Sequence, residues 1–216
     1  MILGININIV RFAIRFYMNN GESMKNKELE LTVAQIEKQF GDYMDGYRLL
    51  MLTLRGKEGG KVNKPDRVAK RLITKNKEEF LKLLGDLLEI KRPEERIYSS
   101  VNSRDIKKGI RLFKYRMLDA DYYDEDGKNS FYLDVKNRWI SAIMSPRCKA
   151  ESNFLIDIDK GDDDEHAIEK QIAKKGIKVL LEYPTKSGRH IIVSPFNPAI
   201  LPCVELKKDG LLLLHY

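Results

Sequence analysis

The sequence predicts an α/β (α+β) chain built on a mixed sheet, and three observations carry that prediction. Residues 154–159, 167–172 and 177–183 read as strand, helix and strand within about thirty residues, a βαβ unit. Residues 76–90 set Phe80, Leu84, Leu87 and Leu88 on one helical stripe. Residues 47–54 and 96–101 are runs of strand length, the first of them strongly apolar.

The elements follow in order. Residues 1–25 read as an N-terminal extension. Their apolar run is interrupted by Arg11 and Arg15, which fits a secretory signal poorly, and Met24 is an equally good start. Residues 26–216 are then expected to form a single domain. Residues 31–40 predict a helix, with Ile36 and Phe40 one turn apart and Gly41 as its stop. The basic, Gly-containing stretch 55–61 is a loop without the spacing of a phosphate-binding loop. Asn76 and Glu79 make a capping-box-like start for the helix over 76–90. Pro93 breaks the chain before the strand at 96–101.

Ser103 is placed to cap a helix carrying Ile106, Ile110, Phe113 and Met117 on one side. Its other faces carry Lys107, Lys108, Arg111, Lys114 and Arg116. Residues 119–129 are acidic and Tyr-rich, hence a surface loop. Residues 131–144 fit no period cleanly, and Trp139 there is either core or a base-stacking platform. After the strand at Phe154–Asp159, Asp163 or Asp164 can cap the next helix and Gly176 can stop it. Residues 184–190 form a tight basic loop that delivers His190 to a third strand at 191–193. Residues 204–214 read as a hairpin, with Asp209-Gly210 as a turn that wants positive φ angles.

Composition bounds the function. Of 216 residues, 43% are hydrophobic and 33% charged, ordinary for a globular chain. The net charge of +7 points first to a polyanionic partner. Cys148 and Cys203 lie far apart, which argues against a structural zinc site or a disulfide scaffold and fits a reducing, cytoplasmic setting. No apolar run approaches the ~20 residues of a membrane span, so no membrane partner is expected.

The chemistry concentrates in Phe154–Asp159. Side chains alternate faces along a strand, so Asp157 and Asp159 project to the same side. Neighbouring carboxylates raise each other's pKa, and a hard divalent cation such as Mg²⁺ or Mn²⁺ relieves the repulsion. The plain alternative is a solvated strand end with two exposed aspartates.

Three short patterns occur in order: Ile156-Asp157-Ile158-Asp159, then Gly188-Arg189-His190, then Val204-Glu205. Together they resemble the archaeo-eukaryotic primase superfamily, which includes primase-polymerases and the polymerase domain of bacterial end-joining ligases. The resemblance covers residues 154–216, with His190 and Glu205 closer together than that family usually has them. It implies an RRM-like catalytic half packed on an N-terminal helical and mixed half, with 26–216 as one primase-polymerase-like catalytic domain. The implied activity is template-dependent nucleotidyl transfer, priming or extending a chain on DNA. Asp157, Asp159 and Glu205 would hold two Mg²⁺ or Mn²⁺ ions, with Asp209 as the alternative third ligand and no zinc. Lys186, Ser187, Gly188, Arg189 and His190 would bind the incoming nucleoside triphosphate. Lys107, Lys108, Arg111 and Lys114 would contact the phosphates of a single-stranded DNA template. The protein would act alone on DNA or with a separate helicase.

Two other readings stay open. Glu205-Leu206-Lys207 is an E-x-K which, with Asp159, matches a metal-dependent nuclease pattern. A non-catalytic nucleic-acid-binding module with a decayed site would retain the basic charge alone.

Overall fold

A computed structural model describes residues 25–54, 67–122, 132–159, 165–185, 188–201 and 206–216. Five α-helices and eight strands are described: α1 (Lys25–Phe40), β1 (Arg48–Leu54), β2 (Arg67–Thr74), α2 (Lys77–Ile90), β3 (Glu95–Ser100), α3 (Ile106–Tyr122), α4 (Val135–Ile143), β4 (Phe154–Asp159), α5 (Glu165–Lys174), β5 (Val179–Thr185), β6 (Gly188–Val193), β7 (Leu206–Lys207) and β8 (Leu211–His215). The chain is thus α/β in class. Among the described residues no helix is long and apolar enough to cross a membrane.

The strands form two four-stranded sheets, ordered β2-β1-β3-β8 and β5-β6-β4-β7. Every described pairing is antiparallel, which corrects the expected mixed sheet. The β4–α5–β5 unit does form, and β4 and β5 run in the same sense. They do not pair, because β6 inserts between them and runs antiparallel to both.

The helices follow from their periodicity. In α2, Phe80, Leu84 and Leu87 are buried on one stripe. Asn76 caps it by accepting from the Glu79 amide at 2.9 Å, while the Glu79 carboxylate accepts from the Lys75 amide at 2.9 Å. α5 ends where Gly176 takes a φ of 64°, a left-handed geometry that a side chain resists. α3 runs on to Tyr122, past the loop start expected at residue 119. Residues 135–143 are helical, and Trp139 packs edge-on against Phe113 at 5.6 Å. Strand β2 has no counterpart in the sequence prediction. Its cations Arg67, Lys70 and Arg71 interrupt the apolar alternation, and a bulge opposite Leu52/Thr53 breaks its register.

Two cores organise the molecule. The first joins Leu50, Leu52, Ile97, Leu212 and Leu214 of the first sheet to α1 and α2, and it extends to Leu155, Tyr183 and Ile192 of the second sheet. The second joins Phe154, Ile156, Ile158, Ile191 and Val193 to Ile168 and Ile172 of α5. Strand β4 therefore has one face against α5 and the other toward the first sheet.

The expected C-terminal hairpin is absent. β7 pairs with β4 in the second sheet, whereas β8 pairs with β3 in the first. Asp209-Gly210 is the corner at which the chain changes sheets. Gly210 does not take a positive φ, so the turn argument for this dipeptide fails. What Gly210 supplies is space: a Cβ there would lie 2.9 Å from Leu155 Cδ2 and 3.0 Å from Leu155 Cβ. Gly210→Ala is expected to cost about 1–3 kcal/mol through overpacking, measured as a lowered urea midpoint at unchanged slope.

Segment 101–105 ties the sheets together. The Val101 amide donates to Gly210 O at 3.1 Å and the Arg104 amide to Tyr47 O at 2.7 Å. Asn102 and Asn153 exchange two side-chain-to-backbone hydrogen bonds of 3.0 and 2.8 Å. The Arg104 guanidinium, buried, grips both carboxylate oxygens of Asp209 at 3.1 and 2.8 Å. Asp209 is thus a structural counter-ion, not a hairpin-tip residue.

Candidate active site

Alternation along β4 decides where Asp157 points. Phe154, Ile156 and Ile158 are buried against α5, and Leu155 lies in the first core. Asp157 shares the face of Leu155, and its side chain remains 23% exposed. On β6 the same rule turns Ile191 and Val193 toward α5 and puts His190 and Ile192 on the other face. Register then places His190 directly opposite Asp157 on one side and Tyr183 of β5 on the other.

The side chains complete a row across the sheet. His190 Nε2 lies 2.9 Å from Asp157 Oδ1, and Lys207 Nζ lies 2.6 Å from Asp157 Oδ2. Tyr183 Oη lies 2.5 Å from His190 Nδ1 and accepts a hydrogen bond from the Leu213 amide at 3.3 Å. Tyr183 is also held edge-on by Phe40 of α1 at 4.9 Å.

Electrostatics keep the central carboxylate charged. Burial by itself would raise the Asp157 pKa, but the Lys207 hydrogen bond, the His190 contact and their charges outweigh it and hold it below the usual carboxylate range. The Tyr183 phenol is pushed well above its ordinary value, first by burial and further by the Asp157 charge, so it stays a neutral O–H.

The residues singled out in the sequence divide as follows. Asp157 and His190 meet. Asp159 is the last residue of β4 and its Cα pairs with Gly188; its side chain lies outside the described residues. Glu205, Lys186 and Ser187 lie outside them as well. Gly188 opens β6 rather than belonging to a loop. Because the strand starts there, alternation sends Arg189 to the face opposite His190. Arg189 sits between Glu169 of α5 and Glu182 of β5, 2.7 Å from the latter. This corrects its expected place beside the nucleotide. Asp209 is corrected in the same way, from alternative metal ligand to partner of Arg104.

Lys107, Lys108, Arg111 and Lys114 are exposed on α3, which packs against α4 and the Pro146–Cys148 turn. Close packing there depends on Gly109, where a Cβ would stand 3.1 Å from Ile143 Cγ1. Lys108 is engaged locally with Asp105, whose carboxylate accepts from the Lys108 amide at 3.1 Å. The same helix exposes Tyr115, Leu118 and Tyr122.

The sequence reading missed two members of the row. Lys207 was signalled only as the last residue of an E-x-K, and Tyr183 not at all, because both roles depend on strand pairing. Among the described residues no group of three His, Cys, Asp or Glu side chains converges on a metal position. Of the three carboxylates expected to hold metal, Asp157 is the one whose side chain is described. Its chemistry is that of an oxygen ligand: it is ionised and partly exposed, and although Lys207 sits on one oxygen and His190 Nε2 on the other, each carboxylate oxygen keeps a further lone pair for a cation.

No protein-family model matches the chain, and neither a curated protein nor a solved structure matches it.

Proposed function

We propose that the chain is a template-dependent nucleotidyltransferase of the primase-polymerase kind, joining nucleotides on a DNA template with Mg²⁺ or Mn²⁺. The observation that carries this reading is the cross-strand pair Asp157–His190 at 2.9 Å. It unites residues of two sequence patterns, 33 positions apart, on one sheet face, where Asp157 stays 23% exposed. The order β5-β6-β4-β7, with α5 crossing over between β4 and β5, supports an RRM-like catalytic half.

In this reading Asp157, with Asp159 and Glu205, would hold the ions, which when bound supply charge neutralisation at the phosphates and activation of the attacking hydroxyl. The described residues contribute the rest. Asp157 keeps an ionised oxygen at the site. His190 Nε2, which faces Asp157 Oδ1 at 2.9 Å, would exchange that contact for a phosphate oxygen of the nucleotide. Lys207 neutralises Asp157 and would place an ammonium beside the phosphates. The +7 charge and the cations of α3 suit a single-stranded DNA partner.

A metal-dependent nuclease is the second reading, and the Lys207–Asp157 contact at 2.6 Å is the observation that favours it, since it joins the E-x-K lysine to a carboxylate of the D-x-D strand. End-labelled DNA incubated with Mg²⁺ or Mn²⁺ and no nucleotides separates the two. The polymerase reading predicts DNA of unchanged length, and metal-dependent shortening that is lost in Lys207→Met would establish the nuclease.

A further inference from the structure

The hydrogen bonds around Tyr183 restrict the chemistry of His190 more tightly than the Asp157 contact does. The Tyr183 side chain is buried, 2% exposed, so its phenol must satisfy its hydrogen bonds inside the protein. Its oxygen already accepts from the Leu213 amide at 3.3 Å. Among the described residues, the acceptor within reach of its own O–H is His190 Nδ1, at 2.5 Å. If Nδ1 carried a proton, the phenol oxygen would face two donors and its O–H would have no acceptor, a costly arrangement for a buried hydroxyl. Nδ1 is therefore the unprotonated nitrogen, and the ring proton sits on Nε2, which faces Asp157 Oδ1 at 2.9 Å.

We infer that Tyr183, itself anchored by the Leu213 amide, is a positioning residue that holds His190 as a neutral Nε2–H hydrogen-bond donor directed into the Asp157 site. In the nucleotidyl-transfer reading, on which only this functional consequence rests, this N–H would exchange Asp157 Oδ1 for a phosphate oxygen of the nucleotide, and Nε2 cannot serve as a base. The anchor has a structural consequence too. Leu213 belongs to the first sheet and Tyr183 to the second, so the state of the histidine depends on how the two sheets meet.

Long-range ¹H–¹⁵N correlation spectra of the histidine side chains at neutral pH test the assignment directly. The chain has three histidines, and His190→Gln identifies the signals of His190 by their disappearance. The wild-type protein is expected to show a pyrrole-type Nε2 and a pyridine-type Nδ1 for His190. Tyr183→Phe keeps the ring against Phe40 and removes only the hydroxyl; it is expected to move the two nitrogen shifts toward each other. A protonated Nδ1 in the wild type would overturn the inference, and that spectrum decides the matter even if the variant does not fold. Unchanged shifts in a folded Tyr183→Phe protein would overturn it as well. A protein with the expected spectrum that incorporates no nucleotide leaves the inference standing and removes the nucleotidyl-transfer reading instead.

Discussion

Asp157→Asn is expected to lower the rate of nucleotide incorporation by about a thousandfold, a loss of about 4 kcal/mol in transition-state stabilisation. Asparagine keeps the size of the side chain and removes the charge that would hold a divalent ion and that pairs with Lys207. The fold should survive. Asp157 is 23% exposed and Lys207 39%, so solvent screens their ion pair and its loss should cost about 1 kcal/mol or less. Primer extension under saturating Mn²⁺, together with a urea unfolding curve for each protein, separates the two effects. An Asp157→Asn protein that extends primers at the wild-type rate would remove Asp157 from the chemistry.

The largest expected effect on stability lies elsewhere, at Asp209. Arg104 has a side chain only 1% exposed and is paired bidentately with Asp209 at the corner between the sheets. A second buried cation, Arg48, is close enough for the two charges to oppose each other, and it leans on Glu151 at 3.6 Å. Removing Asp209 would leave Arg104 buried without its counter-ion. Breaking a buried pair typically costs about 3–5 kcal/mol, and the 22% exposure of Asp209 argues for the lower end, about 3 kcal/mol for Asp209→Ala. Asp209→Asn should also destabilise, since an amide offers Arg104 one acceptor where the carboxylate offers two. The dipeptide logic of an Asp-Gly turn predicts no effect from that change, so urea midpoints for both variants decide between turn and counter-ion.

The contrast between these two aspartates explains what was legible in the sequence. Asp157 could be read because its information is local. It alternates with Ile156 and Ile158, and period-two alternation fixes its face whatever the strand pairs with. The same rule, applied from Gly188 onward, would have separated Arg189 from His190. Residues 184–190 hide that alternation because they look like a loop: they hold a proline, a glycine and three cationic or titratable side chains in a row of seven. The structure begins β6 at Gly188, three residues before the expected start, and alternation within that longer strand turns Arg189 to α5.

Asp209 could not be read locally, because its partner is 105 residues away and Asp-Gly has a strong preference of its own. Tertiary context overrode that preference, and Gly210 is needed there for the approach of Leu155 instead. Strand β2 escaped for a related reason, its bulge and its cations blurring the alternation. Tyr183 and Lys207 belong to the row through pairing alone: one lies beside His190 across β5–β6, the other on the β7 edge beside β4.

Template-directed synthesis by the purified protein is the activity at stake. The protein is mixed with a single-stranded DNA template, with and without an annealed labelled primer, and with Mg²⁺ or Mn²⁺ and either ribo- or deoxynucleoside triphosphates. Metal-dependent products complementary to the template are expected from at least one nucleotide set, and they should disappear in Asp157→Asn. Absence of any template-directed product from a protein shown to be folded and to bind the DNA would contradict the nucleotidyltransferase reading.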